Sequence, residues 1–286
     1  MFEEHDRYYD ARLALVARIN RDRTARGLSS LEFDALSSTV ADRHCLEMVA
    51  HQYLSHWDLQ GLLPYHRYHL AGGRDNVQEN LSRMTVISSE PSPISAEPSE
   101  IQKMLMESHE RFLAEKPPMD AHRQAVLDPG HTHVGIGLAV VKGEFTMAEE
   151  FVNRYVRINS LPAELPNAPF VLEGEMLRKN FGPYYCVLFY EGELARKTVG
   201  QLERTYAYSD TEGDQSAVVR PWEMRFDTSS GRFRITIRAK DRGRGIYHLL
   251  LWVRNDIRTI PYELHAGANK VDTSQAVPAA GWIFSR

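Results

Sequence analysis

The chain has 286 residues, of which 43% are apolar and 25% charged, a composition typical of folded globular proteins and unlike that of disordered segments. Its 38 acidic and 34 basic residues give a net charge of -4, which argues against a nucleic-acid-binding protein or a protein drawn to anionic membranes. At this length we expect two domains, each with its own core.

Export and redox chemistry are constrained by two further features. No apolar run approaches the roughly 20 residues that span a bilayer, so no integral membrane span is expected. The first residues, MFEEHDRYYD, lack the basic and then apolar start of a secretion signal, so either the protein stays inside or a signal has been removed. Cys45 and Cys186 fall in different halves, and we expect both to be buried and unpaired.

Three helices are predicted in the first half of the chain. Apolar residues recur at helical spacing over residues 5–26, 35–53 and about 99–114. Gly27 ends the first helix, and the Pro117-Pro118 pair prevents the third from continuing.

Glycine, proline and polar residues predict loops between these helices. LSHWDLQGLLP (54–64) and AGGRDNVQENL (71–81) are interpreted as loops, and TVISSEPSPISAEPSE (85–100) as a mobile surface loop. Loops on a rigid scaffold are common places for functional sites, so the polar residues of the first two are candidates.

Strands follow the third helix. HVGIGLAVV (133–141) alternates as a strand does, and a Lys142-Gly143 turn leads into a second strand over 145–155, which predicts a helix-covered sheet in an α+β domain. Proline-rich SLPAELPNAP (160–169) is interpreted as a linker, and the β-rich runs beyond it predict an antiparallel, immunoglobulin-like β-sandwich. The predicted domains are therefore residues 1–158 and 159–286.

Candidate site residues are scattered through the first half. His56 and Glu79 lie in the two loops, and His122 follows the Pro-Pro break. Glu107 and Glu110 are three residues apart on the third helix, where only one can point fully inward, and Glu107 is favoured. Each has a structural alternative: a packed histidine for His56, a helix-start acid for Glu79 and a solvated helix face for the two glutamates.

A second histidine pair lies at the start of the predicted strand. His131 and His133 are two residues apart, a spacing that places two side chains on one face of a strand and is compatible with a metal site. His131 follows Gly130, however, and a plain loop residue is the alternative.

The order of these pieces resembles the CAP superfamily of cysteine-rich secretory, antigen 5 and pathogenesis-related-1 proteins, in its bacterial SCP-like form. The resemblance runs from residue 10 to 155 and is carried by the following segments: LVARINRDRTARGLSSLEFDALSSTVADRHCLEMV, SHWDLQG, QENL, DAHRQAVLDP, HVGIGLAVV and EEFVNRY. Gln78 stands where the family has Gly, Asp120-Ala121 where it has Pro-Gly, and Glu149-Glu150 where Gln-Asp is common.

The resemblance implies an α-β-α sandwich with a cleft lined by two histidines and two glutamates. By position these are His56, Glu79 and His122, with Glu107 fitting the fourth place better than Glu110. In the family the tetrad has been linked to divalent metals. The histidines would therefore hold a metal ion, zinc being the first choice for such N and O donors, and Glu79 and Glu107 would orient the rings or accept a proton.

Three functions follow as hypotheses. The first is a secreted or envelope-associated protein whose metal-capable cleft binds an extracellular lipid, peptide or glycan. The second is a metal-assisted, peptidase-like hydrolase with Glu79 or Glu107 as general base. The third places adhesion or carbohydrate binding in the β half, where four aromatic residues would stack on sugars unless they belong to the core: Tyr184, Tyr185, Trp222 and Trp252.

Overall fold

The computed structural model describes residues 6–85, 97–141, 143–162, 164–256 and 273–286. Six α-helices are present in these ranges: α1 Tyr9–Thr24, α2 Ala35–His51, α3 Pro64–Leu70, α4 Pro98–Ala114, α5 Ala121–Val126 and α6 Val199–Leu202. The strands there are β1 Glu32–Phe33, β2 Asn76–Thr85, β3 His133–Val141, β4 Glu144–Asn153, β5 Val156–Ser160, β6 Phe170–Met176, β7 Gly182–Gly192, β8 Asp214–Val219, β9 Arg225–Phe226, β10 Arg232–Ile237, β11 Ile246–Arg254 and β12 Val277–Ser285.

The chain divides into two compact units. The first comprises Met1–Ala71, Val77–Val152 and Arg196–Tyr208, and the second Gly72–Asn76, Asn153–Ala195 and Ser209–Arg286. A single boundary between residues 158 and 159 does not describe this division, because β5 pairs with β6 of the second unit and the segment 196–208 packs in the first.

A four-stranded sheet in the order β1-β3-β4-β2 forms the centre of the first unit. β3 and β4 make an antiparallel hairpin in which His133 pairs with Val152, while β1 runs parallel to β3. Alternate residues of the hairpin point to opposite faces, so both faces must be covered.

Helices cover the two faces of this sheet. Apolar residues of α1 and α4 pack against Val134, Ile136 and their neighbours on one face, and α2 packs against Ala139 and Ala148 on the other. This arrangement confirms the expected α-β-α sandwich in an α+β fold.

Glycine permits the close approach of α2 to the sheet. A Cβ atom at Gly135 would lie 2.1 Å from Oγ of Ser37, and one at Gly137 would lie 2.5 Å from the carbonyl carbon of Ala41. The two glycines of the predicted HVGIGLAVV strand thus leave room for the helix backbone.

The second unit contains two antiparallel four-stranded sheets, ordered β5-β6-β10-β9 and β12-β11-β7-β8. Their inward side chains form one core that includes Leu172 of β6, Leu188 of β7, Ile235 of β10 and Leu251 of β11. A sandwich of two packed sheets is therefore present, as the β-rich runs predict.

Two local predictions change. AGGRDNVQENL is not wholly a loop, since Asn76–Thr85 form β2, and α3 follows the loop that carries His56. Most of the predicted mobile loop 85–100 lies outside the described residues. Both cysteines are buried and free, as expected, and burial raises the pKa of the Cys186 thiol to about 12. Within the described residues, no helix is both long and apolar enough to span a membrane.

Candidate functional site

A cleft of about 420 Å³ opens in the first unit. Its lining comes from four segments of the chain: Leu54–His56 before α3, Gln78–Leu81 of β2, Ala121 and His122 at the start of α5, and Thr205–Tyr208 after α6. His56, Glu79 and His122, which are far apart in sequence, thus line one cavity.

His56 is paired with Glu79 on one side of the cleft. The His56 Nδ1 atom lies 2.9 Å from Glu79 Oε1, and Arg67 Nη2 donates to Glu79 Oε2 at 2.7 Å. Arg67 Nη1 also donates to the backbone carbonyl oxygen of His56 at 2.7 Å, so the guanidinium binds both members of the pair. Glu79 is buried because β2 carries it inside the cleft network, where both carboxylate oxygens have partners.

The charge on Glu79 is maintained despite its burial. Burial alone raises the pKa of a carboxyl group, but the Arg67 guanidinium and the imidazoles of His44 and His56 outweigh it and lower the pKa of Glu79. Glu79 is therefore an ionised hydrogen-bond acceptor over the ordinary range of pH.

Glu150 is a second buried carboxyl group behind Glu79. Neither of its oxygens receives a hydrogen bond from an N–H group or hydroxyl of the described residues. Burial and the neighbouring Glu79 carboxylate raise the pKa of Glu150 well above its ordinary value, which favours the protonated form of its carboxyl group.

His122 is paired with Glu115 on the other side of the cleft. The His122 Nδ1 atom lies 2.5 Å from Glu115 Oε1, and the His122 backbone N–H donates to Glu115 Oε2 at 3.1 Å. Glu115 directly follows α4, and its carboxylate accepts from backbone N–H groups in the first turn of α5, where helix N–H groups lack intrahelical partners. The His122 ring also stacks on Phe112, with centroids 4.8 Å apart.

The carboxylate beside His122 is therefore Glu115, which corrects the expectation for Glu107. Glu107 is 45% exposed on α4 and lies 3.9 Å from the Lys103 ammonium group, and Glu110 is paired with Arg18. Helix α4 continues to Ala114, so Glu115 directly after it lies close to α5. Glu107 lies about two turns earlier, on a solvated face of α4.

The other candidate residues make packing contacts and hydrogen bonds of the kind that structural residues make. His131 is buried and stacks on Phe151 with centroids 5.0 Å apart, and the His133 Nδ1 atom lies 2.8 Å from Thr132 Oγ1. Among the described residues, neither histidine belongs to a group of three or more His, Cys, Asp and Glu side chains that could hold a metal ion. In the β half, Tyr184 and Trp252 are buried, which removes both from the sugar-stacking set.

Residues that the sequence reasoning did not select also shape the cleft. Arg67 occurs on the unpredicted helix α3, and Tyr208 reaches the cleft from the far half of the chain. Asn80 adjoins Glu79 in QENL and donates through Nδ2 to the backbone carbonyl oxygen of His122 at 3.0 Å. The QENL motif includes Asn80 and so could have predicted its place beside Glu79. Arg67 and Tyr208 belong to no such motif, and only the fold brings them to the cleft.

The histidine pair partly fits a divalent metal. Each ring has Nδ1 beside a carboxylate, an arrangement common among metal-ligating histidines, and no partner for either Nε2 occurs among the described residues. Over the same residues, however, no group of three or more His, Cys, Asp and Glu side chains has the geometry to hold a metal. The protein side of such a site is therefore limited to two imidazoles.

A family comparison agrees with this architecture. Residues 16–152 match the model of the cysteine-rich secretory protein family, CAP. Residues 16–152 are a CAP domain. The match includes every residue of the two histidine–carboxylate pairs and ends one residue before the end of β4, so the β-sandwich lies beyond it.

Solved structures resemble this chain over about half of its length. An extracellular protein containing an SCP domain from Bacillus anthracis is 18% identical over 51% of this chain and 41% of its own, with a TM-score of 0.38. An outer surface protein from Borrelia burgdorferi is 18% identical over 51% of this chain and 94% of its own, with a TM-score of 0.40. A cysteine-rich secretory protein from Staphylococcus aureus is 10% identical over 52% of this chain and 40% of its own, with a TM-score of 0.32. The chain thus spans under half of two of these proteins. No curated protein matches it in sequence.

The structure shows the contacts of the residues at which this chain departs from the CAP pattern. Glu149 is bonded to His109, with 2.7 Å between Oε1 and Nδ1, and Glu150 faces Glu79. Asp120 is buried and precedes α5 of the CAP domain. None of these substitutions displaces His56, Glu79 or His122 from the lining of the cleft.

Proposed function

We propose that the CAP domain is a ligand-binding domain whose cleft holds a divalent metal ion, zinc first, between His56 and His122. The observation that carries the proposal is that both imidazoles line one cavity while a carboxylate occupies Nδ1 of each. Glu79 and Glu115 fix the ring orientations, which leaves Nε2 as the nitrogen for a ligand.

Such an ion would act as a Lewis acid toward an oxygen or nitrogen atom of a bound ligand. With two histidines as protein ligands, such an ion would take its further donor atoms from water or from the bound ligand. Arg67 keeps Glu79 ionised, and Asn80 holds the backbone of His122, so the chain's own residues maintain the two ring positions before anything binds.

We also propose that the protein acts outside the cytoplasm, at the cell envelope or as a secreted protein. The support is the secretory character of the family whose model matches residues 16–152. An extracellular lipid, peptide or glycan is accordingly the class of ligand to screen.

A hydrolase is less well supported by the geometry. Its proposed general bases were Glu79 and Glu107, but the lowered pKa of Glu79 makes that carboxylate a weak base, and Glu107 lies on an exposed helix face. Sugar binding in the β half is weakened as well, because Tyr185 packs against the buried Trp252 at 5.6 Å between centroids.

Titration calorimetry and thermal unfolding with zinc chloride test the proposal. We expect stoichiometric binding, and a stabilisation of about 2.7 kcal/mol when free zinc is 100 times the dissociation constant. His56→Ala and His122→Ala should each remove most of the effect. His51→Ala, at the exposed end of α2, is the matched control and should bind as the unmodified protein does.

Two results would contradict the proposal. One is an absence of zinc binding by both methods in the unmodified protein. The other is binding that the double variant His56→Ala/His122→Ala retains in full. With zinc bound, a screen of lipids, peptides and glycans then identifies the ligand by competition at the same histidines.

A further inference from the structure

One wall of the cleft is made by a segment from the second half of the chain. After β7 the chain enters the first unit at Arg196, forms α6 and leaves after Tyr208 for β8. The family match ends at residue 152, so this segment lies outside the CAP match.

The segment is anchored by burial. Leu202 of α6 is fully buried in the same apolar cluster as Cys45 and Met48 of α2, and it packs there with Ala148 of β4. Transfer of a leucine side chain out of water is favourable, so hydrophobic contact holds the segment in addition to its surface polar groups.

Hydrogen bonds tie both ends of α6 to the loop that carries His56. Before the helix, the Lys197 backbone N–H donates to the Leu59 carbonyl oxygen at 3.0 Å. After it, the hydroxyl oxygens of Thr205 and Ser55 lie 2.6 Å apart. The residues that follow, Tyr206 to Tyr208, are thereby brought along the cleft.

Tyr208 contacts both members of the His56–Glu79 pair. Its ring lies 4.7 Å from the His56 ring between centroids, tilted by 56°. Its hydroxyl oxygen accepts the backbone N–H of Glu79 at 3.0 Å. One half-buried side chain thus restrains the plane of the imidazole and the strand position from which its carboxylate partner extends.

We infer that Tyr208 is a positioning residue for the cleft, supplied by a segment outside the CAP match. The inference about zinc affinity rests on the proposed function, but the restraint on Glu79 and His56 does not. Removal of the hydroxyl leaves the Glu79 amide without its acceptor, and the ring loses the bond that fixes its position over His56.

Tyr208→Phe tests this by NMR on the full chain without metal. Loss of one hydrogen bond changes the equilibrium constant for local opening by roughly fivefold to tenfold, so the Glu79 amide should exchange with solvent about five to ten times faster. The His56 ring nitrogen resonances should shift as well. With zinc alone as the ligand, calorimetry should show affinity lowered by about tenfold, the lower range for partners that orient metal ligands.

Tyr190→Phe is the matched control, since its hydroxyl donates to the Arg244 carbonyl oxygen in the second unit. It should change none of these three readouts. Unchanged Glu79 exchange and His56 resonances in Tyr208→Phe would overturn the inference, as would unchanged zinc affinity in a protein that binds zinc. If the unmodified protein binds no zinc, the proposed function fails, and the exchange and resonance data alone decide the role of Tyr208.

Discussion

At the scale of single residues, the cleft keeps two buried carboxyl groups in opposite protonation states. Glu79 accepts from Arg67 and is ionised, whereas Glu150 lacks an N–H or O–H donor among the described residues and keeps its proton. Two adjacent carboxylates cannot both ionise at low cost, so a proton on Glu150 stabilises the arrangement. Their neighbour Glu149 has a different partner, the buried imidazole of His109.

Glu150→Gln should reduce the loss of folding stability that occurs as pH rises. The pKa of Glu150 is raised in the folded state, so the folded protein retains a proton that the unfolded chain releases above its own carboxyl pKa. Stability from this group is present below that unfolded value and declines as pH rises toward the folded pKa, by at most about 1.4 kcal/mol per pH unit. Glutamine keeps a donor toward Glu79 and does not ionise.

Urea unfolding from pH 4.5 to 8 measures this effect. We expect the slope of unfolding free energy against pH to become more positive in Glu150→Gln and the protein to be at least as stable at pH 7. Glu149→Gln is the control on the adjacent residue, and it should destabilise by about 3 kcal/mol because it breaks a buried charge pair. A Glu150→Gln variant with an unchanged pH slope would show that Glu150 is not protonated.

Some of these residues were predictable because short sequence motifs carry them. His56 in SHWDLQG, Glu79 in QENL and His122 in DAHRQ were found from the order of their segments. The spacing on the predicted helix favours Glu107 over Glu110 and does not indicate Glu115, whose position depends on where the chain turns between Ala114 and the Pro-Pro break. Tyr208 gives no local signal, since its partner Glu79 is 129 residues away.

At the level of helices and strands, the spacing of apolar residues predicts the ends of the three long helices well but does not predict the polar strand β2. α1, α2 and α4 agree with their predictions to within a few residues. The Gly72-Gly73 turn in AGGRDNVQENL predicts a loop there, although Asn76, Glu79 and Asn80 are buried in β2. Hydrogen-bond partners within the protein, rather than solvent, satisfy the three buried side chains, and the linear pattern does not show this.

Gly137→Ala should separate α2 from the sheet. The added Cβ atom would lie 2.5 Å from the carbonyl carbon of Ala41 and 2.8 Å from the amide nitrogen of Asp42, both backbone atoms. Because a backbone cannot rotate away, β3 or α2 must move, and we expect a loss of about 1–3 kcal/mol.

Thermal and urea unfolding measure the loss. Gly200→Ala in α6 is the matched control, because no atom lies within 4 Å of its added Cβ and alanine is favoured in helices. It should be neutral or slightly stabilising. Equal stability of the two variants would mean that the contact between α2 and β3 is looser than these distances indicate.

At the scale of the whole molecule, the two predicted architectures are present but the chain does not divide at one point. Composition and strand spacing identified an α+β half and a β half because each has its own periodicity. They gave no sign that residues 196–208 return to the first unit, since α6 has only four residues and its packing depends on one buried leucine. A short segment with one buried apolar residue leaves little periodic signal.

Leu202→Ala should therefore weaken the cleft from a position outside the CAP match. Loss of a fully buried leucine leaves a cavity beside Cys45 and Met48, and such substitutions cost about 2–5 kcal/mol. The segment that carries Tyr208 would open more often, so amides of α6 and of Glu79 should both exchange faster by NMR. Leu249→Ala makes the same change in the core of the second unit and should leave Glu79 exchange unaltered. Faster exchange in α6 with unchanged exchange at Glu79 would show that the wall and the cleft open independently.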